Sequence, residues 1–329
     1  MLRYVLNRLL QAAIILFIIS IVIYFIVDLM PGDPLASWIN PEEIQHIPDL
    51  DLMKEQLGLT GPVWYRYIRW LGNLLQGNFG FSLAFRQDVV NIIPSFLRNT
   101  LILNISALII GLTLSIIVGI KTAVKRFSLF DNFFTVFSLI GISMPSFVLA
   151  MLLILAFVIV IPIFPFSGLQ DARIQYHGWS LARMLDMAYH LTLPIIVICM
   201  GQMAVMVRFV RNSMLDVLKQ DYIRTARSKG LKDKVIIYRH AFKNALIPII
   251  TLVGFSIPGV FMGGIIIENI FMIPGMGRLL VFHAYTARDA QLVTVILMLF
   301  AVLTVFSTII VDLSYGLVDP RMKVGGGSK

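Results

Sequence analysis

The chain has 329 residues, of which 58% are hydrophobic and only 14% charged, with a mean hydropathy of +0.86. Soluble domains carry roughly 25% charged residues, so this is the composition of an integral membrane protein. It argues against a cytosolic enzyme and a nucleic-acid-binding domain, and Cys199, the single cysteine, argues against a disulfide-stapled secreted module. The net charge of +9 fits either a polyanion partner or retained cytoplasmic Lys and Arg, and the placement of the charges decides which.

Apolar runs long enough to cross about 30 Å of hydrocarbon, roughly 20 residues each, occupy residues 9–29, 101–120, 133–161, 191–207, 246–267 and 292–311. Arg3 and Arg8 precede the first run, but it is too long for a signal peptide and no small-residue cleavage site follows it, so it reads as a retained anchor. The N-terminus, the 121–132 loop, the 208–243 loop and the C-terminal tail hold 18 Lys and Arg against 6 acidic residues. The alternate segments, counted with Asp28 at the edge of the first run, hold 9 against 12, so the net charges of the two sides are +12 and −3. The positive-inside rule then predicts that both termini and the 208–243 loop are cytoplasmic. On this reading the +9 records topology, and no nucleic acid is expected as a partner.

Residues 31–98 form the large region predicted to lie outside. It contains Trp38, Trp64 and Trp70, an apolar-periodic stretch over 64–75, and turn signals at Pro31-Gly32-Asp33-Pro34 and Gly61-Pro62. A small ordered subdomain resting on the outer interface is expected there. The last residues, Gly325-Gly326-Gly327-Ser328-Lys329, have linker composition and read as an appended scar.

The six runs contain no Lys, Arg or Glu, and the one Asp, Asp28, stands at the edge of the first. Proton- and ion-coupled carriers usually keep an ionisable residue at depth, so a self-powered carrier is disfavoured. Sodium sites can instead use carbonyls at broken helices, and Pro145, Pro258 and Gly259 are candidate breaks, although kinks that aid packing are the commoner use of such residues. Gly119-Ile120-Lys121-Thr122 lacks the upstream glycine of a phosphate-binding loop and reads as a helix end with an interfacial lysine. His46, His177, His190, His240 and His283 show no metal-ligand spacing. No nucleophile or zinc motif occurs.

The 208–243 loop holds ten Lys and Arg. Contact with anionic lipid would explain the charges, but not the local pattern. Asp221 is expected to N-cap a helix over 222–229, Gly230 to supply a left-handed C-terminal residue, and Leu231 the apolar residue that follows. Asp233 is expected to cap a second helix ending at Pro248. Small Thr225, Ala226 and Ser228 lie near the turn, a plug-like shape suited to close approach by a partner.

At these residues the chain resembles a known family. Tyr222-Ile223-Arg224-Thr225-Ala226-Arg227-Ser228-Lys229-Gly230-Leu231, with Arg239-His240-Ala241-Phe242-Lys243-Asn244-Ala245-Leu246-Ile247-Pro248, is similar to the EAA loop of ABC-importer permeases of the oligopeptide, dipeptide and nickel group. Gly77-Asn78-Phe79-Gly80-Phe81-Ser82, Ser143-Met144-Pro145-Ser146-Phe147, Ile273-Pro274-Gly275-Met276-Gly277-Arg278-Leu279 and Asp312-Leu313-Ser314-Tyr315 agree along the chain. Arg224 and Thr225 replace the name-giving glutamate and first alanine, as is usual in this group. The large region after the first span fits the B-type subunit.

The resemblance implies an all-α integral membrane protein with six transmembrane helices, the type I importer permease fold. Its organisation would be an anchor helix in 1–30, an external subdomain in 31–98, and a five-helix core in 99–318 with a coupling loop at 208–245. A cytoplasmic tail would follow in 319–329. It also implies a cell-membrane protein that pairs with a C-type permease subunit, two cytoplasmic ATPases and an extracytoplasmic substrate-binding protein. This chain would bind no cofactor and catalyse nothing, ATP and Mg being used by the ATPases. Asp221, Tyr222, Arg224, Thr225, Ala226, Ser228, Lys229, Gly230 and Leu231 would form the docking helix, while Ser143, Met144, Ser146 and Ser256 are candidates for lining the path. Short peptides are the favoured cargo, with nickel or metal chelates, glutathione and oligosaccharides as alternatives and a self-contained carrier as the reading of a different class. The charge asymmetry predicts that, with Cys199 replaced, a membrane-impermeant thiol reagent reaches Ser37→Cys from outside and Ser228→Cys only from the cytoplasm. Ser37→Cys labelled solely from the cytoplasm would overturn the topology.

Overall fold

A computed structural model describes residues 2–30, 60–176 and 178–318. The Pro31-Gly32-Asp33-Pro34 turn, Trp38, His46, His177 and the 319–329 tail lie outside the described residues. Among those described, four helices are long and apolar enough to cross a membrane, and two bent pairs bring the possible spans to six.

The chain begins with α1 (Leu2–Asp28), followed by α2 (Val63–Leu75) and a two-residue hairpin, β1 (Phe81–Ser82) and β2 (Gln87–Asp88), in which Phe81 faces Asp88 and Ser82 faces Gln87. Then come α3 (Val89–Val124), α4 (Leu129–Ser143) and α5 (Ser146–Ile154), which widens into a π turn to Val160. The long α6 (Leu181–Leu218) precedes α7 (Asp221–Ser228), and α8 (Asp233–Val235) widens into a π turn over Ile236–Phe242 before α9 (Lys243–Met262). The chain continues through α10 (Ile265–Ile270), α11 (Met276–Arg278) with a π turn over Leu279–Tyr285, and α12 (Ala290–Val318).

These helices start and stop for local reasons. Ser128 Oγ accepts the amide of Asp131 and Ser180 Oγ that of Arg183, each at 3.2 Å, so α4 and α6 are N-capped by serine. Asp289 Oδ1 accepts the amide of Leu292 at 3.0 Å and caps α12. Met144 is extended because the ring of the following proline disfavours the helical region. In place of the single predicted span over 133–161, α4 and α5 therefore meet at 105°.

Two sequence expectations are corrected nearby. Pro248 does not end the second helix of the loop but bends it by 49°, since an apolar span tolerates one lost backbone bond when its neighbours hold it. Pro258 also sits within α9. The break comes instead at Gly263, whose φ of +75° is left-handed, so the predicted 246–267 span divides into α9 and α10.

The helices distribute over two compact units. The first comprises residues 1–100, 261–265 and 274–309. Its apolar core gathers Val27, Val89, Ile92, Met276, Leu279 and Ile296. Buried Asp289 organises its polar part, accepting Ser82 Oγ at 2.5 Å and the amide of Ala84 at 3.1 Å. Gln291 Nε2 donates to the carbonyl of Phe79 at 2.8 Å, so the Gly77–Ser82 motif is fastened to the head of α12. The Pro274–Gly277 motif is held in the same unit, where Asn99 Nδ2 donates to the Pro274 carbonyl and Thr100 Oγ1 accepts the Met276 amide.

The second unit comprises residues 101–260, 266–273 and 310–329. Here small residues let helices approach, as apolar spans require when lipid offers no hydrophobic drive. A Cβ on Gly119 would lie 2.6 Å from Val210, and one on Gly141 would lie 2.8 Å from Ala204. One strong polar contact ties the same helices: Arg211 of α6 donates to both oxygens of Asp131 at the start of α4, at 2.7 and 2.8 Å. The Asp131 side chain is 2% exposed and also accepts the amide of Phe127. Removing one partner strands the other charge, at a cost of about 3 kcal/mol for a buried pair and less where, as with Arg211, one end reaches solvent. Asp131→Asn and Arg211→Gln should each lower the unfolding midpoint in detergent, with the double variant recovering part of the loss. Additive losses would mean that the pair is not coupled.

Candidate functional site

The 218–249 segment has the helix, turn and helix expected of it. Helix α7 runs over Asp221–Ser228 with Gln220 in the capping position and no capping bond from the Gln220 side chain, so Asp221 stands in the first helical turn. This is one residue from the expected cap, and the carboxylate still lies at the positive end of the helix dipole. Asp233 is likewise the first helical residue of α8, after Lys232.

The turn between them is a Schellman motif. Gly230 has a φ of +73°, its amide donates to the Arg227 carbonyl at 2.9 Å, and the Leu231 amide donates to the Ala226 carbonyl at 3.4 Å. Glycine is required because a left-handed backbone costs other residues about 1 kcal/mol or more.

Exposure divides α7 into two faces. Ile223 and Ala226, 1% and 6% exposed, pack into a core with Val210, Met214, Ile236 and Ala241. Asp221, Arg224, Thr225 and Ser228 line the opposite, exposed face, at the spacing that places residues on one side of a helix. Thr225 Oγ1 and Ser228 Oγ donate to their own helix at the Asp221 and Arg224 carbonyls. They therefore present a small surface with its hydroxyl protons already satisfied. The Asp221–Arg224 approach of 4.0 Å involves two exposed side chains and adds little stability. Tyr222, Lys229, Gly230 and Leu231 are exposed around the tip.

Of the residues the sequence nominated for docking, the structure thus gathers all on one short helix and its turn, and Ala226 alone faces inward. Its small size serves the seat on which α7 rests. Arg227, absent from the nominated set, is exposed beside them.

The nominated path residues separate into two places. Ser143, Met144 and Ser146 surround the α4–α5 break, with both serines exposed. Ser256 lies within α9, half-buried, and its Oγ donates to the Leu252 carbonyl at 3.1 Å. Non-helical backbone at membrane depth needs protein or a water-filled cavity around it, so the break is the more suggestive of the two. Sequence reading missed Asp131, Arg211 and Asp289, which hold the architecture from the ends of spans. The available signal was a charge directly beside an apolar run. Among the described residues no group of His, Cys, Asp and Glu could hold a metal ion, and Lys121, in the last turn of α3, places its Nζ 4.2 Å from the Phe130 ring centre.

Known proteins place this architecture. Residues 111–324 match the family of binding-protein-dependent transport system inner membrane components, and residues 1–116 match the N-terminal region of such components. The oligopeptide transport system permease protein AppB of Bacillus subtilis is 36% identical over 324 residues, covering 98% of this chain and 100% of the relative. The glutathione transport system permease protein GsiC of Escherichia coli strain K12 is 32% identical over 323 residues, covering 98% and 99%. The MetNI methionine ABC transporter in an inward-facing form aligns with a TM-score of 0.47 at 18% identity, over 70% of this chain and 97% of that one. The family match across two thirds of the chain, with relatives aligned from end to end, shows that this protein belongs to the binding-protein-dependent transport system inner membrane components and is a multi-pass permease subunit of an ABC importer.

Proposed function

We propose that this chain is one of two permease subunits in an ATP-driven importer of short peptides, and that α7 with its Gly230 turn is the coupling element. The observation that carries the reading is the two-faced α7: an apolar side seated on the chain's own core and a small polar side left exposed. A short rigid helix so mounted transmits a push, because its seat joins the end of α6 to the start of α9 through Val210, Met214 and Ala245. Closure of two ATPase partners around ATP and Mg would displace α7, move those helices and expose the path to the outside. There a substrate-binding protein would deliver cargo. The chain itself performs no chemistry and contributes half of the path, with Ser143, Met144 and Ser146 at the α4–α5 break as its candidate lining and Ser256 as a weaker one.

The charge asymmetry supports a topology with both termini and α7 in the cytoplasm. The peptide reading draws on the name of the Bacillus subtilis relative. The second relative supports glutathione, itself a short peptide, as the competing cargo.

Docking is tested on the exposed side of α7. Thr225→Arg and Ser228→Arg place bulk and charge where a partner would close. In membranes containing the partner subunits, each should weaken ATPase co-purification by about 2 kcal/mol, roughly 30-fold in affinity. Binding-protein-stimulated ATP hydrolysis should fall in parallel. Gly230→Val should act similarly through the turn, whereas Lys232→Ala should leave both readings near wild type. Ala226→Arg would disrupt the seat of α7 and is not a clean probe of docking. If Thr225→Arg and Ser228→Arg leave association and hydrolysis intact, the ATPases dock elsewhere. Uptake of labelled di- to pentapeptides against labelled glutathione distinguishes the cargoes.

A further inference from the structure

Helix α2 carries more apolar surface than its neighbours among the described residues cover. Tyr67 and Trp70, 8% and 7% exposed, pack on Tyr24 of α1 with ring centres 5.5 and 5.4 Å apart. The Tyr67 hydroxyl shares a 2.9 Å hydrogen bond with Ser20 Oγ, and Arg66 pairs with Asp28 at 2.8 Å. That face is spoken for. A second apolar strip is not: Trp64, Ile68 and Leu75 are 61%, 60% and 80% exposed, and at 100° per residue they fall within about 40° of one another. Exposed Arg69 and Asn73 lie on the far side. Tyr65 stands between, with the Arg69 guanidinium 5.2 Å from its ring centre.

The level of α2 along the spans follows from its partners. Ser20 precedes Asp28 by two helical turns, about 12 Å, and Asp28 closes the 23-residue apolar stretch of α1. Met298, buried with Tyr67 and Trp70, is likewise about two turns inside the start of α12. A helix resting above the bilayer in water could not pack its inner face at that level. Beside it, Val22, Phe25 and Ile26 of α1 are 50%, 40% and 61% exposed, as a lipid-facing span requires. Trp and Tyr together with an arginine are also the side chains that settle at the boundary of headgroups and acyl chains.

We infer that α2 is a monotopic anchor sunk into one leaflet of the bilayer, with Trp64, Ile68 and Leu75 among the acyl chains and Arg69 at the level of the lipid phosphates. Interfacial helices bury their apolar side about 5–10 Å into that boundary, which matches the level of the α1 contacts. The region after the first span is then tethered to the bilayer at a set height, and that height positions the surface a delivery partner would meet. The inference rests on the topology proposed above only for the identity of the leaflet, the outer one; the depth of α2 does not depend on it.

The test uses the full chain in nanodiscs of phosphatidylethanolamine and phosphatidylglycerol, with Cys199 replaced and a nitroxide placed singly at Ile68→Cys, Leu75→Cys or Asn73→Cys. Accessibility to oxygen, which partitions into acyl chains, is compared with accessibility to a water-soluble nickel chelate. The expected pattern is oxygen well above nickel at 68 and 75, and the reverse at 73. Nickel dominance at 68 and 75 would place α2 in water and overturn the inference. Low accessibility to both reagents at 68 and 75, whether in the chain alone or with the partner permease present, would mean that protein covers the strip and would overturn it equally. An unchanged thermal unfolding midpoint in each labelled variant shows that the helix is still seated. Thiol labelling from the two sides of the membrane reports the leaflet separately, so a wrong topology and a wrong depth give different results.

Discussion

Hydrocarbon offers a backbone no hydrogen-bonding partner, and the architecture of this chain follows from that constraint. Helices α1, α3, α6 and α12 satisfy their amides internally along unbroken runs. At three departures from the helix among the described residues, a specific group is present to hold the backbone. Met144 and Pro145 open the α4–α5 corner between a closed helix end and a fresh first turn, with the Met144 amide returned to the Ile140 carbonyl. The Pro274–Met276 segment is held by Asn99 and Thr100, and Asp289 gathers the amides of Ala84 and Leu292 together with the Ser82 hydroxyl.

The charged residues that do this work stand at the margins of spans, where water or headgroups lower the cost of a charge. Asp28 with Arg66, Asp131 with Arg211, and Asp289 each join elements distant in sequence. Between them the helices rely on close approach of small residues. The six apolar runs themselves contain no Lys, Arg or Glu, and their one Asp stands at the edge of the first. The apolar side of α7 shares a core with α6 and α9.

Pro145 and Pro248 show why proline alone does not forecast a break. Both fall in apolar runs, yet the first turns the chain by 105° and the second by 49°. The difference lies in what precedes them: α4 has ended at Ser143, whereas Leu246 and Ile247 continue a helix whose neighbours keep it in place. Gly263, which no sequence signal singled out, follows the end of α9 with a left-handed backbone.

The six apolar runs, the charge asymmetry and the Gly230 turn were legible in the amino-acid order because each rests on local physics: transfer from water to hydrocarbon, helix propensity and the steric cost of a left-handed residue. The short helix and glycine turn of residues 221–230 were legible for the same reason, since both lie within one local stretch. The inward face of Ala226 was not, because small size alone does not distinguish a residue that admits a partner from one that lets its own helix settle. The partners of Asp131, Asp289 and Arg66 were equally hidden. Those pairs join residues 80, 207 and 38 positions apart, and only the packing of the helices decides which charge meets which.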